Sequence, residues 1–210
     1  MRIVIFGASG GTGRELVKQG LALGHDVTVF VRNPAAFASG DRLHIVAGDA
    51  RNGKAVAPAI GGQDAVLSAL GGTLGDDTLL PESMEHILAA MKQARVRRLI
   101  VLGASGVWPG ATKRLSAPMR AMAWVFDATL LKKPFQAQRA MQTKIQASDT
   151  EWTVVQPPRL VNKPGTGRFR VDGEALPAGG VQIARADVAT FMLEQLSSTL
   201  WLRKAPFIAW

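Results

Sequence analysis

The sequence GASGGTG at residues 7–13 follows an apolar run, IVIF at 3–6, and leads into an amphipathic helical pattern. Strand, glycine-rich turn and helix in this order are typical of a βαβ unit that binds a dinucleotide. Gly7 permits the tight turn, Gly10 leaves room for a pyrophosphate against the backbone, and Gly13 lets the helix pack closely on the strand. The stretch therefore predicts a nucleotide-binding α/β fold.

The backbone of this loop is expected to hold the phosphates of the ligand through N–H groups and the positive end of the following helix. A flexible loop without a ligand is the alternative, but the strand and the helix on either side argue against it. The predicted phosphate-binding residues are Gly7, Ser9, Gly10, Gly11, Thr12 and Gly13.

Further apolar runs alternate with helical patterns along the chain, which predicts a doubly wound parallel sheet, the Rossmann fold. The length of 210 residues and the 47% hydrophobic content suit a single domain over residues 1–210. We predict helices with Pro81 in the first turn, from near Gln136, and from Asp187. Residues 106–134 break the alternation, and we interpret them as an insertion over the cleft. The predicted strands are 3–6, 27–31, 43–46, 65–70, 99–102 and 153–155.

The residue after the second predicted strand indicates which dinucleotide binds. An acidic residue would bind the ribose hydroxyls of NAD, but VTVFV at 27–31 is followed by Arg32. A guanidinium pairs with a 2′-phosphate in a bidentate manner, and no carboxylate stands there to repel it. We therefore expect NADP(H) as the cofactor, the alternative being a solvated surface arginine.

Other predicted strands also end in small or polar residues. Asp49 is placed to accept a hydrogen bond from the adenine amino group, and it could equally cap the next helix, since the two roles do not exclude each other. Ser105 would lie near the nicotinamide and orient a substrate, although a turn serine bonded to its own backbone is an equal alternative. The cofactor-binding residues predicted here are Asp49, Ala50, Ala69, Leu70 and Gly71.

The composition excludes several kinds of site. The chain has no cysteine and its three histidines do not cluster, so no metal is expected. A net charge of +9 favours anionic partners, but no nucleic-acid-binding motif accompanies it. The apolar stretch 121–126 is too short for a membrane span. A strand directly at the N-terminus leaves no room for a signal peptide, and we expect a cytoplasmic location.

Five segments together resemble the atypical short-chain dehydrogenase/reductases, in particular the branch that contains biliverdin reductase B (flavin reductase) and the NmrA-like proteins. The resemblance covers almost the whole chain and slightly favours a monomer. The segments are GASGGTG at 7–13, VRNP at 31–34, LIVLGASGVW at 99–108, EWTVVQPPRL at 151–160 and VQIARADVATFMLEQL at 181–196.

The comparison with that family also shows what the chain lacks. Short-chain dehydrogenases use a Tyr-x-x-x-Lys pair, but this chain has no tyrosine, and Gln138 stands at the lysine position. The flavin-reductase branch needs no such pair, because water can protonate its acceptor. In that branch a serine matches Ser105, whereas Arg159 replaces a histidine, which argues against tetrapyrrole reduction and suits an anionic acceptor.

The resemblance thus implies an NADPH-dependent reductase of a flavin, a quinone or a similar planar acceptor, with Ser105 and Arg159 as catalytic residues. A non-catalytic NADP(H) sensor of the NmrA type, which acts by binding a partner, is the alternative. The missing tyrosine and lysine favour the sensor as well.

Overall fold

The computed structural model describes residues 1–72, 76–107, 112–113 and 132–210. Its centre is a six-stranded sheet with the order β3-β2-β1-β4-β5-β6, in which all neighbours pair in parallel. This order confirms the predicted Rossmann fold. The strands are β1 Arg2–Phe6, β2 Asp26–Val31, β3 Leu43–Ala47, β4 Ala65–Ser68, β5 Arg98–Leu102 and β6 Glu151–Val155.

Helices cover both faces of the sheet. On one face α1 packs against α5, and their shared core includes Ile5, Leu16 and Phe191. On the other face α3 packs between α2 and α4 over a core that includes Met84 and Ile87. Five of the six strands are therefore buried on both faces, which explains their nearly continuous apolar sequence, whereas the edge strand β3 is partly exposed. The helices are α1 Gly11–Ala22, α2 Gly53–Ile60, α3 Leu79–Ala94, α4 Lys132–Gln146 and α5 Arg185–Glu194.

The limits of two strands differ from the prediction by two residues, in each case because of the neighbouring strand, and those of the other four differ by one residue. β4 ends at Ser68 and not at residue 70, since its partner β1 ends at Phe6, opposite Ser68. β6 begins earlier than predicted because Glu151 pairs with Arg98, the first residue of β5. Pairing between strands sets these limits, and the sequence of a single strand does not indicate it.

The helix limits also depend on what precedes each helix. Pro81 lies in the first turn of α3, as predicted. α4 begins at Lys132, earlier than the predicted Gln136. The prediction that the last helix opens at Asp187 is wrong, because the short strand Gln182–Ala184 leads directly into α5 at Arg185 and leaves Asp187 within the first turn.

Four short strands were not predicted. β7 pairs with β9 and β8 pairs with β10 in two small sheets beside the main one. Each has three residues, too few to show an alternation of polar and apolar side chains. They are β7 Arg159–Val161, β8 Arg170–Asp172, β9 Gln182–Ala184 and β10 Phe207–Ala209.

The predicted insertion at 106–134 falls mainly outside the described residues. Ser105–Val107 forms a 3-10 helix and α4 takes in the end of the segment. Between them only 112–113 are described. The interpretation of this segment as a cover over the cleft therefore stays a prediction.

A buried carboxylate on α5 holds the C-terminus and the loop after β7. The oxygens of Asp187 accept hydrogen bonds from the backbone N–H groups of Thr166 at 2.8 Å and Gly167 at 2.9 Å. The indole Nε1 of Trp210 donates a further one at 2.7 Å. Burial opposes ionisation of this carboxyl, but the bonds from Trp210, Gly167 and Thr166 outweigh it and lower the pKa of Asp187.

The described ranges contain neither a membrane-spanning helix nor a cluster of metal-binding side chains. No helix there is long and apolar enough to cross a membrane. The same part of the chain brings together no group of three or more histidine or acidic side chains that could hold a metal ion. Two histidines have other neighbours, since His25 lies 3.4 Å from the N-terminal amine and the ring of His86 lies beside Gly53.

Candidate functional site

A cleft of about 230 Å³ lies at the carboxyl ends of β1 to β4. The strand order reverses between β1 and β4, which is where doubly wound sheets bind their ligands. Loops that are distant in sequence meet here because parallel strands end at the same edge. The predicted cofactor residues that line the cleft are Gly7, Ser9, Gly10, Arg32, Asp49, Ala50, Ala69, Leu70 and Gly71.

The three glycines of the loop are needed for different reasons. Gly7 has a φ of +73°, and a Cβ there would lie 2.6 Å from the carbonyl carbon of Ala69. A Cβ on Gly13 would lie 2.1 Å from the Gly7 oxygen. A Cβ on Gly10 would meet only that same oxygen, at 3.3 Å. The fold itself thus requires Gly7 and Gly13, whereas Gly10 leaves its space open in the wall of the cleft.

The start of α1 offers uncapped N–H groups next to this space. Gly10 is the N-cap residue and provides no side-chain hydrogen bond, and the first turn contains no acidic residue. The next three residues belong to the helix and do not line the cleft, namely Gly11, Thr12 and Gly13. Their predicted binding of the phosphates therefore depends on their backbone N–H groups. Such a helix end suits a phosphate.

Arg32 directly follows β2 and forms part of the cleft wall. Its side chain is exposed, and within the described residues no hydrogen bond or ion pair engages its guanidinium. Asp49 follows the neighbouring strand β3, and its pKa is lowered mainly by a hydrogen bond from the N–H of Arg51, with a smaller contribution from the charge of Arg32. A free guanidinium at the end of β2 has the chemistry to bind a 2′-phosphate.

Asp49 is held as a carboxylate by its neighbours. The N–H of Arg51 donates to its Oδ1 at 2.9 Å, and this bond is the main cause of the lowered pKa of Asp49. The prediction that Asp49 could also cap the next helix is wrong. α2 begins at Gly53, and Asn52 caps it by accepting a bond from the N–H of Lys54 at 3.1 Å.

Several lining residues were missed by the sequence analysis. Arg51 bridges the cleft, since its guanidinium lies 3.5 Å from the Asp49 carboxylate and 3.4 Å from that of Asp76. Three of the missed residues adjoin a predicted residue in the sequence, namely Val31, Gly48 and Arg51, and this adjacency is the signal that could have indicated them. Asp76 and Leu79 come from the start of α3 and had no local signal. The missed residues are Phe30, Val31, Gly48, Arg51, Asp76 and Leu79.

The two predicted catalytic residues do not line this cleft. Ser105 is buried in the 3-10 helix after β5, and its N–H donates to the Pro157 oxygen at 3.0 Å. Within the described residues its hydroxyl makes no hydrogen bond, to its own backbone or elsewhere. Arg159 is exposed at the start of β7. Ser105 therefore lies at the carboxyl edge beyond the cleft, beside the turn that leads to Arg159.

A cluster of buried amides underlies this second part of the edge. Gln156, which follows β6, donates from Nε2 to the Oε1 of Gln142 on α4 at 3.1 Å. The remaining amide atoms, Gln156 Oε1 and Gln142 Nε2, are buried without a partner, as is Gln138 Oε1. A Cβ on Gly103 would lie 2.8 Å from Gln156 Oε1. The amide of Gln138, at the position of the family's lysine, thus belongs to a group of buried amides.

Comparisons with known proteins agree with this geometry. Residues 7–199 match the model of a family described as NAD(P)H-binding. The YwnB protein of Bacillus subtilis (strain 168) is 28% identical over 204 residues, which cover 93% of this chain and 92% of that protein. The match thus extends over nearly the full length of both.

Two solved structures share the fold. A short-chain dehydrogenase/reductase of wide type from Veillonella parvula, in complex with NADP, has a TM-score of 0.81 at 19% identity, covering 100% of this chain and 94% of that one. The anaerobilin reductase ChuY from Escherichia coli O157:H7 has a TM-score of 0.80 at 19% identity, with 100% and 97% covered. The glycine cradle, the uncapped helix and the family match lead to one conclusion. The chain belongs to the NAD(P)H-binding family of Rossmann-fold proteins.

Proposed function

We propose that this chain is an NADPH-dependent oxidoreductase that transfers hydride to a flavin, a quinone or a similar planar acceptor. The observation that carries the proposal is the cleft at the strand-order reversal, with open space over Gly10 and the free guanidinium of Arg32 in its wall. Bound NADPH supplies the hydride. The protein supplies binding, orientation and the exclusion of competing reactions.

Different residues of the cleft suit different groups of the dinucleotide. Arg32 suits the 2′-phosphate, and the ionised Asp49 suits the adenine amino group as a hydrogen-bond acceptor. Gly71 leaves space toward the nicotinamide half, since a Cβ there would meet no atom within 4 Å. These features support NADP(H) rather than NAD(H), because no acidic residue follows β2 to bind a free 2′-hydroxyl.

The nature of the acceptor follows from the missing proton donor. The chain has no tyrosine, and a glutamine, Gln138, stands where the family has its lysine. A carbonyl substrate would need a protein acid beside it, whereas a reduced flavin or quinone takes its proton from water. Ser105 is proposed to orient the acceptor ring, and Arg159 to bind an anionic tail such as the phosphate of FMN.

The proposal is tested by NADPH oxidation in the presence of FMN, riboflavin, a quinone and biliverdin in turn. We expect oxidation faster than in buffer with a flavin or the quinone, and a lower KM for FMN than for riboflavin. If the purified protein binds NADPH tightly but oxidises it no faster than buffer with any of the four, the reductase assignment fails.

That outcome would leave the second candidate, a non-catalytic NADP(H) sensor of the NmrA type. The specific observation in its favour is the replacement of the tyrosine and the lysine, which removes the usual catalytic pair. A sensor would bind the reduced and oxidised cofactor with different consequences for a partner surface. Turnover separates the two candidates.

A further inference from the structure

Arg185 lies across the start of α1, although the two are far apart in sequence. It is the first residue of α5. A Cβ on Gly11 would lie 2.5 Å from the Nε of Arg185 and 3.5 Å from its Cζ. Gly11 has no positive φ, so its backbone does not require glycine. The missing side chain at Gly11 instead makes room for the guanidinium of Arg185.

The backbone that carries Arg185 is fixed against α1. Gln19 of α1 donates from Nε2 to the Ala186 oxygen at 3.0 Å, and its Oε1 accepts a bond from Thr190 at 2.9 Å. The two helices also share an apolar core. The position of Arg185 over Gly11 therefore follows from helix packing rather than from a loop.

Two arginines near the glycine loop differ in their contacts with the rest of the protein. Arg14 donates from Nε to the Ser9 oxygen at 3.1 Å and its guanidinium lies 5.5 Å from the centre of the Phe37 ring. Arg185 is partly buried, and no hydrogen bond or ion pair to any residue of the described ranges occupies it. The nearby carboxylate of Asp187 is instead taken by the bonds from the Thr166 loop and the terminal tryptophan.

The guanidinium of Arg185 lies beside the positive end of α1. The first turn of α1 has no acidic residue and no side-chain cap, so its N–H groups have no side-chain partner. An arginine that is partly desolvated and has no counter-ion is costly unless an anion binds it. The anion expected at this loop is a phosphate.

We propose that Arg185 binds the pyrophosphate of the dinucleotide, adding charge-assisted hydrogen bonds to those of the glycine loop. This inference rests on the proposed dinucleotide binding. NADPH and NADH share the pyrophosphate but not the 2′-phosphate. Arg185 therefore contributes equally to the affinity for both, whereas Arg32 contributes only to the affinity for NADPH.

The test is a fluorescence titration of Arg185→Gln with NADPH and with NADH, without an acceptor. We expect the Kd of both to rise by the same factor, about tenfold, as for the loss of a charge-assisted bond. Arg185→Lys keeps the charge and should recover part of the affinity. Melting temperatures without cofactor report whether each variant is folded.

Arg97→Gln is the matched control, since it also removes one positive charge. Arg97 lies at the amino edge of the sheet and pairs with Glu151 at 3.1 Å. We expect its affinities to stay within about twofold of those of the wild-type protein. A general effect of net charge would move both variants alike and overturn the proposal.

Three further results would overturn the assignment of Arg185. The first is an unchanged affinity for both dinucleotides, and the second is a loss of affinity for NADPH alone. The third is a raised KM for FMN but not for riboflavin, with both cofactor affinities unchanged. The last would assign Arg185 to the phosphate of the acceptor. Because the titration needs no turnover, a failure of the reductase assignment leaves this test intact, and a wild-type protein that binds neither dinucleotide would defeat both proposals.

Discussion

The two halves of the carboxyl edge of the sheet are built in different ways. In the half at β1 to β4, Gly10 and Arg32 lie directly beside a helix start and a strand end, so the local sequence marks each of them. The half at β5 and β6 is assembled from distant segments, such as Ser105 bonded to Pro157, over the buried amide of Gln156. Local sequence is thus informative about the cofactor half and much less so about the acceptor half.

The largest effect is expected at Gly13, which the fold of the cofactor half requires. In Gly13→Val the side chain would meet the Gly7 oxygen, which lies 2.1 Å from an ideal Cβ. Backbone must move to relieve this contact, and we expect a loss of about 3 kcal/mol or more in the free energy of unfolding. Urea unfolding at equilibrium measures it, and a variant as stable as the wild type would show that the close packing of α1 on β1 is wrong.

Gly10→Val is the matched variant for the same loop. An ideal Cβ meets only the Gly7 oxygen, at 3.3 Å, and the backbone has an extended φ of −72°. The protein should therefore stay folded, with its Kd for either dinucleotide raised by about 100-fold or more, which corresponds to about 2.7 kcal/mol. If binding survives in a folded Gly10→Val protein, the pyrophosphate does not lie over Gly10.

A smaller effect is expected at Asp187, which holds the segment after β7 through hydrogen bonds to its backbone. Asp187→Asn places an amide group against the N–H donors of Thr166, Gly167 and Trp210. We expect a loss of about 2 kcal/mol in the free energy of unfolding near neutral pH, from unsatisfied buried groups. The unfolding midpoint in urea measures the change.

This prediction has a pH dependence with a definite sign. The pKa of Asp187 is lowered in the folded protein, so its ionised form stabilises the fold above the unfolded pKa of about 3.9. That contribution is lost as the pH falls through the folded pKa. The wild type and Asp187→Asn should therefore converge in stability in acid. A constant difference down to about pH 2 would contradict the role given to the carboxylate.

Ser105→Ala should have the mildest effect. Because solvent supplies the proton, loss of the hydroxyl removes only orientation of the acceptor, and we expect turnover to fall by about tenfold. Steady-state kinetics with a flavin measure it, with NADPH affinity as the internal control. Complete loss of turnover would mean that Ser105 takes part in the chemistry, and an unchanged rate would remove it from the site.

The same two halves of the sheet edge differ in how well the sequence predicted their residues. Gly7 and Arg32 could be placed because a turn and a strand end are local features. Arg185 could not, since only the packing of α5 on α1 brings it to Gly11. The three-residue strands β7 to β10 were missed for a similar reason, because they exist through long-range pairing. The acceptor residues Ser105 and Arg159 stay predictions, for they do not line the described cleft.

We propose that the cleft binds NADP(H) and that Arg32 recognises its 2′-phosphate. The decisive measurement is a titration of the wild-type protein and of Arg32→Ala with NADPH and with NADH. We expect the wild type to bind NADPH at least about tenfold more tightly than NADH, a difference of about 1.4 kcal/mol, and Arg32→Ala to lose this preference while its affinity for NADH is unchanged. Equal affinities of the wild type for the two dinucleotides, or a preference for NADH, would show that Arg32 does not recognise the 2′-phosphate.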